Sequence, residues 1–188
     1  MLFRSSTGSP AEGAAALDAM LQVSTPVMNT VGLLPYAALG AVHMDPPEPA
    51  PAFDRGCILR EFPAEAADAL LALAGPDAET PLLLAEVRHL GGAMAAEPAA
   101  ANAVSGRDAQ WSFYTVGILA PEIATVVPIA AAGVLDALAP WRAGVQYNFA
   151  CGDRLETAWT PAVLDRLQQI TRDRDPDNLF RPAQPVPA

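Results

Sequence analysis

The run Glu86-Val87-Arg88-His89-Leu90-Gly91-Gly92 concentrates more chemistry than any other stretch of the chain. On an extended strand Glu86 and Arg88 share one face with Leu82, Leu84 and Leu90, while His89 looks the other way with Leu83, Ala85 and Val87. A carboxylate beside a guanidinium either orients a polar substrate through charge-assisted hydrogen bonds or pairs with its neighbour across a half-wet sheet. His89 is the group whose charge changes near neutral pH, so it serves either as a proton carrier or as a hydrogen-bonded core histidine. Farther on, Arg107-Asp108 offers a second guanidinium that either contacts a substrate or anchors a loop. Gln146-Tyr147-Asn148-Phe149 then gathers two amides, a phenol and an aromatic ring. Gln146 can hydrogen-bond a ligand but is no useful base.

What is missing narrows the chemistry. The glycines form neither G-x-G-x-x-G nor a P-loop. His43 and His89 have no partner at metal-ligand spacing, and Cys57 and Cys151 stand in no C-x-x-C, so no metal site is expected. All 11 basic residues are arginine and the net charge is -10, which makes nucleic acid and anionic membrane surfaces poor partners and favours solubility.

The elements that would position these residues come from periodicity and punctuation. The 188 residues suit one domain, or one plus an appendage, with a core kept small by alanine. Leu2-Phe3-Arg4 reads as the tail of a strand, so the chain looks truncated. Ser9-Pro10-Ala11-Glu12 opens a helix with Ala14, Leu17, Met20 and Leu21 as its stripe. Leu33-Leu34-Pro35-Tyr36 leads into a short apolar turn, and the four prolines of residues 45–51 demand an exposed loop. Strands are expected at Cys57–Phe62, Pro81–Leu90, Ala103–Ser105, Gln110–Val116 and Val145–Ala150. Helices are expected from Pro63 to Gly75, over Pro121–Leu138, and from Thr160-Pro161 to Asp175 with Val163, Leu164, Leu167 and Ile170 buried. The tail from Arg181 is proline-rich and extended. The irregular alternation gives an α+β fold, an antiparallel β-sheet backed by α-helices. No run reaches the ~18 apolar residues of a membrane span, and the start has no signal-like stretch, so the expected location is cytoplasmic.

Three segments in this order resemble the bacterial FAD-linked oxidases of the berberine-bridge-enzyme-like group. They are Leu33-Leu34-Pro35-Tyr36-Ala37-Ala38-Leu39, Glu86-Val87-Arg88-His89-Leu90-Gly91-Gly92-Ala93, and Tyr147-Asn148-Phe149 followed by Asp175-Pro176-Asp177-Asn178-Leu179-Phe180. Arg107-Asp108-Ala109 extends the middle one. The resemblance spans nearly the whole chain. It implies a substrate (cap) domain portion over 1–140 and a C-terminal segment over 141–188 that packs on an FAD-binding domain absent here.

The resemblance also implies roles. Hydride passes from a small organic substrate to FAD, with Tyr147 or Gln146 at the catalytic position and Asn148 and Phe149 beside the flavin. Glu86, Arg88, His89 and Arg107 fall to the substrate. The family's tyrosine precedes its asparagine by two residues, where this chain has Gln146, and a one-residue shift on a strand would send Tyr147 to the opposite face. Tyr147 as a buried structural tyrosine is the other reading. The implied partners are the FAD-binding domain, or a second copy meeting an exposed apolar face around Phe149, Leu179 and Phe180. A non-enzymatic remnant and a stand-alone small-molecule-binding α+β module are the alternatives.

Overall fold

The computed structural model describes residues 7–23, 25–42, 48–150, 154–182 and 185–187. The expected strand tail at Leu2-Phe3-Arg4, together with His43, Asp45-Pro46-Pro47 and Cys151, lies outside them. The chain forms two compact units, Met1–Pro49 and Ala50–Ala188.

In the first unit, helix α1 runs Pro10–Leu21. Ser9 accepts from the Glu12 N–H at 3.3 Å while the Glu12 carboxylate accepts from the Ser9 N–H at 2.8 Å, a reciprocal cap; the Ser9 hydroxyl, and then its N–H, donating to the carboxylate hold the Glu12 carboxyl below its ordinary value. A 3-10 helix covers Tyr36–Val42. No described residue of this unit is buried. The expected stripe of α1 is half-buried at Leu17 and Met20 and exposed at Ala14 and Leu21.

The second unit holds an antiparallel sheet of strands β1 Ala52–Leu59, β2 Leu84–His89, β3 Trp111–Ile118 and β4 Arg142–Gly144, in the order β2-β3-β1-β4. Helices α2 Ala64–Ala74 and α3 Val126–Ala137 cover one face. Alternation sends Cys57, Leu59 and Phe113 to that face, where they meet Ala66 and Leu70 of α2 and Val134, Leu135 and Leu138 from α3 and its end. Burial in this core pushes the Cys57 thiol up to about 12, against a smaller pull downward from Arg142. Helix α4, Pro161–Arg174, is capped by the Thr160 hydroxyl.

Several expected boundaries move for physical reasons. β1 starts at Ala52 rather than Cys57, because β3 pairs with it over all eight residues and carries Phe53-Asp54-Arg55-Gly56 into the sheet. It stops at Leu59, after which the Arg60 N–H donates to the Trp141 carbonyl at 2.9 Å. β2 starts only at Leu84, so Leu82 escapes the alternation and packs on the main core. No strand forms at Ala103–Ser105. α3 begins at Val126 because Pro128 has no N–H and is tolerated only within the first turn. The expected strand Val145–Ala150 does not form: the short β4 ends at Gly144, and Tyr147–Phe149 make a 3-10 turn. None of α4 is buried: Val163, Leu164 and Leu167 are half-buried and Ile170 is exposed.

Candidate functional site

The helix-free face of the sheet assembles the residues of interest by register. Glu86 of β2 lies opposite Tyr114 of β3, which lies opposite Gly56 of β1, and Arg88 lies opposite Ser112. Above Gly56 rests Phe149. A Cβ on Gly56 would stand 2.9 Å from the Phe149 Cβ and 2.9 Å from the Phe113 carbonyl oxygen, so only glycine lets the 3-10 turn settle there. The Phe149 ring tilts against Tyr114 with centroids 4.8 Å apart. Asn148 beside it is exposed.

Glu86 and Arg88 form a two-pronged pair, Nε to Oε1 at 2.6 Å and Nη2 to Oε2 at 2.9 Å. The hydrogen bonds it donates to Glu86, and then the Glu86 charge, hold the Arg88 guanidinium above its ordinary value, against desolvation that acts the other way. Arg88 is half exposed, so the pair adds only about 0–1 kcal/mol to stability. Its significance is a fixed fork of donors and acceptors at the edge of an aromatic floor. Of the two readings of the pair, the structure shows the side chains binding each other.

The other expected site residues lie elsewhere. His89 is exposed on the helix-bearing face, its ring 4.7 Å from that of Trp111, and Gly91 gives the imidazole room. Arg107 clasps a loop: Nη1 donates to the carbonyls of Met94 at 3.0 Å and Ala96 at 3.1 Å, and Nη2 to Asn102 Oδ1 at 3.2 Å. Of the two readings of Arg107, the loop anchor fits these bonds. Tyr147 is half-buried with its ring 5.3 Å from Trp159, in a small core with Val145, Ala150, Leu155 and Ala158. Since Gln146 and Tyr147 enter a 3-10 turn, the strand argument that set them on opposite faces does not hold. Gln146 is half-buried at the start of that turn and its carbonyl accepts from the Phe149 N–H at 2.9 Å.

Tyr114 is the residue that sequence reasoning overlooked. Its strand was expected, and its parity with Ser112 could be read, but the register that sets it across from Glu86 could not. Among the described residues no group of histidine, cysteine or carboxylate side chains could hold a metal, and no helix is long and apolar enough to cross a membrane.

The architecture recurs in solved structures. The BBE-like 1 protein of Physcomitrella patens superposes with a TM-score of 0.72 at 14% identity over 96% of this chain and 43% of that one. A point variant of the same protein gives 0.71 over the same shares. The crystal structure of aclacinomycin oxidoreductase gives 0.67 at 16% identity, over 94% of this chain and 42% of that one. This chain has the fold of part of a BBE-like oxidoreductase. At the level of sequence, no family profile and no curated protein matches it. The BBE-like fold therefore stands on an antiparallel sheet with helices on one face, and the chain spans less than half the length of the proteins that share it.

Proposed function

We propose that this chain is the substrate side of a flavin-dependent oxidoreductase and works with an FAD-holding body that its own residues do not supply. The observation that carries this is the convergence of Glu86, Arg88, Tyr114 and Phe149 on the sheet face opposite the helices, in a BBE-like fold. The donor set fits the ring end of a flavin. Asn148 presents an exposed neutral amide and Phe149 an aromatic edge beside it, while the sequence has no glycine loop for the phosphates.

Bound FAD supplies hydride acceptance; the residues of this chain bind, orient and handle the proton. The Glu86–Arg88 fork orients a polar substrate, and Asn148 with Phe149 borders the flavin. Tyr114, beside both, is the phenol we assign to the reacting proton, in preference to Tyr147, whose ring packs on Trp159. The substrate is a small polar organic molecule, and the location a cytoplasmic one, where the buried Cys57 thiol stays reduced.

Co-expression with an FAD-binding BBE-like portion tests this. A stable complex with the absorbance of oxidised flavin, bleached by a substrate screen, is expected. Tyr114→Phe then lowers the rate of flavin reduction by about 100-fold, the lower range for a lost acid or base, while Tyr147→Phe changes it little. The assignment fails if no flavin complex forms, or if Tyr147→Phe is the damaging change.

A further inference from the structure

The geometry points to a second binding site, for a phosphate-type oxyanion, in a cleft along the β4 edge of the sheet. The cleft has a volume of about 250 Å³ and is lined by Arg60, Arg142 and Arg154 with Ala139, Gly144 and Thr157. Since the strand order is β2-β3-β1-β4, it lies at the opposite edge from Glu86 and Arg88.

Charge is the first argument. The chain has 21 acidic residues against 11 arginines, so three arginines in one cleft with no acidic residue in its lining stand out. Arg60, Arg142 and Arg154 share a single cleft, and none of them pairs with a carboxylate among the described residues. Like charges lining one cleft repel one another, and an anion bound among them relieves that repulsion.

The backbone holds each arginine in place. Arg60 follows β1 and is tied by its N–H to Trp141, and Arg142 pairs with Leu59 in the sheet and donates from Nη2 to the Leu135 carbonyl at 3.3 Å. Arg154 sits at φ 53, the left-handed region that disfavours any residue with a Cβ. Its carbonyl accepts from both the N–H and the hydroxyl of Thr157, each at 2.8 Å, which locks that conformation. Guanidinium forks suit the paired oxygens of a phosphate. The volume exceeds that of a few waters at about 30 Å³ each, so there is space for a small organic group carrying the phosphate.

Isothermal titration of the full chain with inorganic phosphate and, separately, with ADP tests the inference. Saturable one-to-one binding of at least one probe is expected. Arg60 and Arg154 are exposed, so the double variant Arg60→Ala/Arg154→Ala keeps its near-ultraviolet circular dichroism and binds at least about tenfold more weakly. Arg60→Lys/Arg154→Lys, with charge kept and forks lost, falls between. ADP binding tighter than phosphate identifies a phosphorylated organic ligand, and equal or weaker binding identifies free phosphate. No saturable binding of either probe, or an affinity unchanged in the double alanine variant, overturns the site.

Discussion

Replacing Gly56 by alanine tests the seating of the 3-10 turn on the sheet. Ordinarily such a change in a strand interior gains about 0.5–1 kcal/mol from the stiffer unfolded chain. Here the new methyl meets two atoms at 2.9 Å, the Phe149 Cβ and the Phe113 carbonyl oxygen, and the second belongs to backbone of the neighbouring strand and cannot swing away. Overpacking of this kind costs about 1–3 kcal/mol, and with one of the two clashing atoms in immovable backbone the upper part of that range, about 2–3 kcal/mol, applies, so that about 1–2 kcal/mol of net loss remains once a gain of about 1 kcal/mol is subtracted. With a urea slope near 2 kcal/mol/M, the midpoint falls by about 0.5–1 M at constant slope. The double variant Gly56→Ala/Phe149→Gly separates the two clashes. Removing the Phe149 Cβ relieves one of them, so the losses of the single variants fail to add by about 1 kcal/mol. A Gly56→Ala midpoint equal to or above that of the unchanged protein, or strict additivity in the cycle, refutes this account.

Two further predictions concern single groups. Burial raises the Cys57 thiol from 9.0 to about 12, so below 9 both folded and unfolded states keep the proton, and between the two values only the folded state does. Stability therefore falls as pH rises through that window, by up to about 1.4 kcal/mol per pH unit from this group, and urea melts of Cys57→Ala show a shallower decline between about pH 9 and 11. Asp175 accepts from the N–H of Leu179 at 2.6 Å and of Phe180 at 3.1 Å, so Asp175→Ala speeds hydrogen exchange at those two amides by about tenfold, the value of one lost charged hydrogen bond.

Local rules carried the sequence reading as far as local chemistry decides. Ser9 and Glu12 announced α1, Thr160-Pro161 announced α4, and Gly75 marked the end of α2, because caps act within a few residues. The α+β class followed from the alternation of elements. What escaped depended on partners distant in sequence. Asp54, Arg55 and Gly56 do not look like a strand, yet β3 draws them into one. Val145 to Ala150 has strand composition, yet Val145 and Ala150 are buried with Leu155 and Ala158, and the chain must curl to reach them. Tyr114, Gly56 and Phe149 are scattered across 94 residues, counted from Gly56 through Phe149, and only sheet register makes them one surface. The resemblance pointed to Phe149 as a candidate, and the sheet register shows the floor on which it rests.

The distribution of exposed apolar groups argues for a covering surface. The helix side of the sheet is finished, with Leu59, Phe113 and Leu138 buried. Elsewhere Leu33 and Tyr36 are 84% and 88% exposed, Leu179 and Phe180 are 77% and 75% exposed, and Ile170 breaks the stripe of α4. Exposure alone is ordinary, since much of any surface is apolar. Leu179 and Phe180 are different because they are held: Asp175 binds both their N–H groups, and Asn178 turns through the left-handed region at φ 51 to set them. Fixing the backbone of two residues costs conformational entropy that burial of their side chains usually repays, and here the described residues bury neither side chain. A turn that fixes them in the open is favourable when another surface arrives to cover them, and under the function we propose that surface belongs to the FAD-holding body.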